Sequence, residues 1–278
     1  MYTTIIHYAP LSPEQRQRIE QLIAGSWEQG NGHCRVRHAQ PIAADKLEHL
    51  SAELGIDISA LPAGFRGAEV KLLITDMDST FINIECIDEI ADFADLKPQV
   101  KAITDAAMRG EIDFETSLTR RVALLKGLSC DVLGQVYNER LQLNPGAEIM
   151  LACLKQRGVK IALVSGGFTF FTERLKQRCE LDYTRANVLD QQGDTLNGSV
   201  KGGIFGAQGK ADFLQQLMQE HGWQPNQVIA MGDGANDLLM MQLAGLSIAY
   251  HAKPKVRAQA SIEFNHRGLD AVCHLLDA

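Results

Sequence analysis

The sequence has no apolar run approaching the ~18 residues that would point to a membrane-spanning helix. It has no excess of base either: 27 Lys and Arg stand against 34 Asp and Glu, a formal net charge of -7. A nucleic-acid binder normally carries a basic footprint, and so does a protein that docks on an anionic membrane. Neither partner is therefore expected. The start, MYTTIIHYAPLSPEQRQ, lacks a basic segment followed by a long apolar core, so no secretory signal is read there. There is no CxxC. The six cysteines, at 34, 86, 130, 153, 179 and 273, are widely scattered, which reads as reduced cytoplasmic thiols and not as a disulfide framework. Internal repeats and low-complexity tracts are absent. What is present, in 278 residues that are 45% hydrophobic and 22% charged, is an acidic globular chain able to bury a large core.

The composition shifts near residue 62. LPAGFRGAE (61–69) carries a proline, two glycines and no periodic apolar pattern, and reads as a linker. The segment before it, 1–68, predicts a small α+β unit. TTIIHYA (3–9) reads as a strand, and Ser12-Pro13-Glu14 opens a helix with the serine as N-cap. HCRVRHAQPIA (33–43) reads as a second strand, and Asp45 as the cap of a second helix. Residues 69–278 speak more clearly. VKLLIT, KIALVSGG, QVIAMGDG and GLSIAY are short continuous apolar runs alternating with helical stretches. That alternation predicts an α/β fold with a doubly wound parallel sheet covered on both faces. A long helical stretch at about 86–143, between the first two runs, exceeds what a crossover needs and is expected to form a cap over the strand ends. Residues 186–206 predict a β-hairpin.

Three of the four runs end in polar clusters, and in such sheets ligands bind outside the carboxyl ends of the strands. The first cluster is Asp76-Met77-Asp78-Ser79-Thr80. Asp, Ser and Thr all favour turns, but two carboxylates crowded at a buried strand end repel unless a cation or a proton lies between them. Ser165-Gly166-Gly167 offers a hydroxyl and unobstructed backbone N–H groups, which suits a phosphate oxygen. Gly232-Asp233-Gly234-Ala235-Asn236-Asp237 again puts acids where a strand gives way to a helix. Lys210 starts a helix, where a cation is mildly disfavoured by the dipole; alone it reads as a surface lysine.

The order and spacing of these four places resemble the haloacid dehalogenase superfamily of phosphotransferases. Within it, DMDSTFINIECIDEIA from Asp76, MRGEIDFETSLTRRVALLKG (108–127), VSGGF (164–168) and GDGAND (232–237) look like the phosphoserine phosphatase family. The resemblance spans roughly residues 70–275. It implies Mg²⁺-dependent hydrolysis of O-phosphoserine to serine and phosphate, the last step of serine biosynthesis. Asp76 would be the nucleophile, forming an aspartyl-phosphate, and Asp78 the general acid and base. Mg²⁺ would be held by Asp76, the Asp78 main-chain carbonyl and Asp233. Ser165, Gly166, Gly167 and Lys210 would share the phosphoryl charge, with Asn236 on the phosphate side and Asp237 orienting the metal shell or Lys210. Glu85 would take the substrate ammonium and Arg121 its carboxylate; the pattern F-x-x-S-L-x-x-R, Phe114 to Arg121, selects Arg121 over Arg120. Phe114 and Met108 would be apolar lid residues. Bacterial relatives often carry an amino-acid-binding βαββαβ domain before the catalytic part, and 1–68 is compatible with one. Two other activities stay open: transfer to another alcohol such as homoserine, and hydrolysis of another small phosphomonoester. So does a homodimer.

Overall fold

The computed structural model describes residues 1–8 and 10–277. Its first part runs β1 (Tyr2–Ile6), α1 (Pro13–Leu22), β2 (Ser26–Gln29), β3 (Cys34–His38), α2 (Ala44–Leu54) and β4 (Ile58–Ala60). This is a βαββαβ unit whose antiparallel sheet has the order β2-β3-β1-β4. The strand predicted over 3–9 stops at Ile6, and its last position, Ala9, lies outside the described residues. Helix α1 opens as the sequence predicts: Ser12 and Gln15 form a reciprocal capping box ahead of Pro13. Helix α2 does not. Its N-cap is Ala43, and Asp45 sits in the first turn, where a carboxylate still meets the positive end of the helix dipole. The second predicted strand is cut to Cys34–His38. Strands β2 and β4 carry no sequence signal, being four and three residues long. Ile6, Ile19, Ile23, Val36, Leu47, Leu50 and Ile58 form this unit's core.

The larger part is built on β5 (Leu72–Asp76), β6 (Lys160–Phe168), β7 (Tyr183–Gln192), β8 (Thr195–Lys201), β9 (Val228–Gly232), β10 (Leu246–Tyr250) and β11 (Ile262–Phe264). The order is β11-β10-β9-β5-β6-β7-β8, parallel throughout except for β8, which returns antiparallel on β7 as the predicted hairpin. Alternate residues of each strand enter different cores. Leu73, Ile161 and Ile229 pack under α7 (Ala147–Gln156), α8 (Thr169–Cys179) and the C-terminal helix Ala271–Leu276. Leu72, Ile74, Ala162 and Val228 pack under α9 (Ala207–His221). Burial on both faces is why these strands read as unbroken apolar runs.

Strand β5 lies at the centre, with β6 on one side and β9 on the other. The chain therefore reverses its winding at β5, and a crevice opens at the carboxyl ends of these three strands. Between β5 and α7 come α3 (Cys86–Phe93), α4 (Lys97–Met108), α5 (Phe114–Leu124) and α6 (Asp131–Gln135). The end of this helical segment is sewn to the hairpin: Gly127 N–H donates to Leu196 O at 2.8 Å, and Leu196 N–H to Leu128 O at 2.9 Å. Among the described residues, no helix is long and apolar enough to cross a membrane.

The two parts meet at a buried histidine group. His7 Nδ1 lies 3.0 Å from His274 Nδ1 and His7 Nε2 lies 2.9 Å from Ser59 Oγ. His33 stacks on His274 with ring centroids 4.5 Å apart. Burial, followed by the facing histidines and Arg267, holds His7 well below its usual value and lowers His274 to about 4. A histidine lowered in the fold contributes stability that is complete above its unfolded value near 6.5 and is lost as pH falls toward the folded value. Thermal melts at pH 7 and pH 4.5 should therefore show an acid loss on the order of 2–3 kcal/mol from this group. His274→Gln should have a smaller loss over the same window, and an equal loss in both proteins would remove the assignment.

Candidate active site

Asp76 is the last residue of β5, and Met77 behind it is fully buried. The chain then turns sharply, with Ser79 in the left-handed region at φ 56°. Asn144 holds this turn, donating from Nδ2 to Thr80 O (2.8 Å) and Ile82 O (3.0 Å). The turn throws the Asp78 carboxylate beneath α3, where Oδ1 accepts from the Cys86 N–H at 2.8 Å, at the positive end of that helix. Asp78 Oδ2 accepts from Ser165 Oγ at 2.9 Å, and Ser165 Oγ accepts in turn from the Gly167 N–H at 2.8 Å. A Cβ at Gly166 would stand 2.8 Å from Phe114 Cζ, and one at Gly167 would stand 3.0 Å from Asp78 Oδ2. A side chain at either position would force the Phe114 ring or the Asp78 carboxylate to shift.

Lys210, in the first turn of α9, is 0% exposed and so is no surface lysine. Its ammonium bonds Asp76 Oδ1, and Asp237 Oδ1 at 2.7 Å. Asp237 spends its other oxygen on the Gly234 N–H at 3.0 Å. Both Asp237 oxygens are thus occupied, and this residue fixes the lysine. Burial alone would lower the lysine's proton affinity; the Asp237 and Asp76 carboxylates reverse that and hold it above the ordinary lysine range. Burial, then Asp237, pushes Asp76 well above the usual carboxylate range, against the pull of Lys210. Asp233, which accepts from Thr80 Oγ1 at 3.3 Å, is raised to about 6 by burial and then by Asp237. Carboxylate oxygens of Asp76, Asp233 and Asp237 lie within 4.8 Å of one another. A single buried ammonium, Lys210, lies among these three acids.

Above this floor the cavity is walled by the helical segment. Phe114, Leu118 and Arg121 come from α5 and Ile87 from α3, facing Gly166, Gly167, Gly234 and Asn236. Glu85 lines it too, accepting from Ser79 Oγ at 2.7 Å. It keeps solvent on one side, yet the surrounding protein and then Asp78 push its carboxyl up to about 7. Arg121 is half-buried, with Nε donating to Ser117 O at 3.4 Å; Arg120 is exposed and outside the cavity. Of the predicted positions, Met108 stands apart. It ends α4 with 65% of its surface exposed and does not line the cavity.

Other contributors went unread in the sequence. Lys253 lines the cavity and its charge lowers the proton affinity of Asp233, against the rise from burial and Asp237. Asn187, in β7, is buried and bonds the backbone of Gly166 and Phe205. The available signal for Asn187 was its residue type, since asparagine is depleted in strands and needs a reason to sit inside one. Lys253 had none.

A family model described as haloacid dehalogenase-like hydrolase matches residues 70–245. A phosphoserine phosphatase of Polaromonas sp. is 49% identical over 227 residues, covering 80% of this chain and 96% of that protein. Among solved structures, a haloacid dehalogenase-family hydrolase from Salmonella enterica serovar Typhi superposes with a TM-score of 0.92 at 30% identity, over 99% of this chain and 98% of that one. A phosphoserine phosphatase captured as a phospho-aspartyl intermediate analogue superposes with a TM-score of 0.67 at 39% identity, covering 71% of this chain and 94% of that one.

Proposed function

The chain belongs to the haloacid dehalogenase-like hydrolases, and from that premise we propose that it hydrolyses O-phosphoserine to serine and phosphate, closing serine biosynthesis in the cytoplasm. One observation carries the substrate: Glu85 and Arg121, an acid and a guanidinium, face the same cavity as the Asp76–Lys210 floor. An amino acid esterified to phosphate presents an ammonium, a carboxylate and a phosphoryl group, and each has a partner of opposite charge here. Six free cysteines agree with a reducing compartment.

In this reading Asp76 attacks phosphorus. A bond forms from its carboxylate oxygen to phosphorus as the bond to the serine oxygen breaks, and Asp78 gives that oxygen a proton. Asp78, now a carboxylate, takes a proton from the water that attacks the aspartyl-phosphate. Inorganic phosphate leaves and Asp76 is restored. Lys210 and the Gly166 N–H meet the charge on the phosphoryl oxygens, while the Gly167 N–H holds the Ser165 hydroxyl beside them. Phe114 and Leu118 keep bulk water away. The hard oxygen donors of Asp76, Asp233 and the Asp78 carbonyl suit Mg²⁺, and the surplus of acid over Lys210 fits a divalent cation. When bound, the ion would shield the phosphoryl group from the attacking carboxylate.

A phosphate-release screen over phosphorylated amino acids and sugar phosphates, with Mg²⁺, tests the reading. O-phosphoserine should be turned over fastest, and equal rates on sugar phosphates would overturn it. Arg121→Lys should raise KM for O-phosphoserine by about 10–100-fold, the loss expected when a fork to a carboxylate becomes a point charge. Hydrolysis of p-nitrophenyl phosphate, which has no carboxylate on an α-carbon, should stay within about threefold of wild type.

A further inference from the structure

We infer that Asn187 is a positioning residue for the phosphoryl-transfer site, resting on the active-site reading above: its side-chain amide fixes the Gly166–Gly167 peptide against the segment that leads into Lys210.

The sheet register makes this residue necessary. Along β6 and β7, Val164 pairs with Arg185 and Phe168 with Asn187, so four steps on one strand oppose two on the other. Ser165, Gly166 and Gly167 are the residues thrown out of the ladder. A bulge re-aims backbone groups, but it also removes the ladder bonds that would hold them. Asn187 stands where pairing resumes, and its side chain supplies the missing partner. Nδ2 donates to Gly166 O at 2.9 Å and to Phe205 O at 3.1 Å, while Oδ1 accepts from the Phe205 N–H at 2.7 Å. Both amide protons and the carbonyl are used, and the residue is 3% exposed.

The consequence follows from peptide geometry. In a planar trans peptide the carbonyl of Gly166 and the N–H of Gly167 point in opposite directions. Anchoring the oxygen on Asn187 turns the N–H toward Ser165 Oγ, which it meets at 2.8 Å. With that lone pair taken, the Ser165 hydroxyl proton is directed to Asp78 Oδ2 at 2.9 Å. The two bonds to Phe205 act on the other wall. Phe205 lies just before α9, whose first turn carries Lys210. One amide thus sets the separation between the turn that meets Asp78 and the helix that delivers the ammonium to Asp76. Phe114 lies in the notch between the same two walls, 2.8 Å from a Cβ placed on Gly166 and 3.1 Å from one on Gly206.

The test compares the full-length wild type with Asn187→Leu, which removes all three bonds, and Asn187→Asp, which keeps the shape and the contact to Phe205 N–H. Rates on O-phosphoserine and p-nitrophenyl phosphate, with Mg²⁺, are normalised to the folded fraction from circular dichroism. The leucine variant should lose at least about 30-fold in kcat on both substrates and the aspartate variant at least about 10-fold. KM for O-phosphoserine should move by less than about threefold, because Glu85 and Arg121 are untouched. Val272→Ala, in the core of the C-terminal helix, is the matched loss of stability and should keep kcat per folded molecule. Should the leucine variant fail to fold, the aspartate variant decides alone. The inference is overturned if kcat per folded molecule survives, or if KM rises while kcat holds. A wild type active only on p-nitrophenyl phosphate would sink the substrate assignment and still score Asn187; inactivity on both would end both.

Discussion

Asp76→Asn should abolish turnover while leaving the fold intact. The amide has nearly the shape of the carboxylate but no anionic oxygen with which to attack phosphorus. Loss of a covalent nucleophile typically removes most of an enzyme's rate, and a fall of about 10⁴-fold or more in kcat is expected. The cost to folding should be small or negative. Asp76 is buried, faces Asp237, and is pushed above the ordinary carboxylate range, so its ionised form is penalised in the native state despite Lys210. A neutral amide escapes that penalty. Two measurements check this: phosphate release from O-phosphoserine, and the thermal midpoint. Acid quench during turnover should trap phosphorylated protein in the wild type and none in the variant. Retention of more than about one per cent of kcat would remove Asp76 from the nucleophile's place.

Lys210→Met should damage both activity and stability, and the two effects can be separated. Lys210 is wholly buried and shared by Asp76 and Asp237. Removing it leaves two carboxylates facing one another out of water, and breaking a buried pair from one side typically costs about 3–5 kcal/mol. In a chain of this length that is a fall in Tm on the order of 10 °C. The activity loss has a further cause. Without the ammonium, burial and Asp237 raise Asp76 further, which favours its protonated form, unable to attack. Residual kcat should therefore climb as pH is raised, because raising pH restores the ionised nucleophile. The double change Lys210→Met with Asp237→Leu replaces an ion pair by apolar groups and should recover much of the stability. It should recover little activity, because the phosphoryl oxygens still lack the cation. If the double variant regains turnover together with Tm, Lys210 serves the fold alone.

The parts of this molecule that could be read in advance are those whose signal is local. VKLLIT and KIALVSGG are unbroken apolar runs because helices cover both faces of the sheet, a property each strand carries in itself. Ser12 and Pro13 open α1 through contacts made within one turn. Where a boundary depends on a partner, the sequence carries no local mark of it. Ser26–Gln29, Ile58–Ala60 and Ile262–Phe264 are strands of four residues or fewer, made into strands by the neighbour they pair with. Asp45 missed the cap of α2 by two positions, since Ala43 already has the extended backbone a cap requires.

The site divides the same way. Its residue types, their order and their places at strand ends are legible, because Asp76 ends β5, Ser165 lies in the last half of β6 and Asp233 follows β9 directly, each after a buried apolar run. Family resemblance points to Arg121 over Arg120, and of the two it is Arg121 that lines the cavity, since one step along α5 rotates a side chain by ~100° and turns its neighbour to solvent. Met108 shows the limit of the same reasoning, for it is exposed at the end of α4.

By itself, the sequence determined the layering of the larger part and the chemical types gathered at the strand ends. Only the tertiary structure decided which charges lie out of water and against which neighbours. Lys210 meets Asp76 across 134 positions of chain and Asp237 across 27. Asn187 closes a gap that exists only because two strands fall out of register. Helix starts and apolar runs are marked by residues a few positions apart, whereas proton affinity and hydrogen-bond satisfaction are set by whatever the fold brings within a few ångströms.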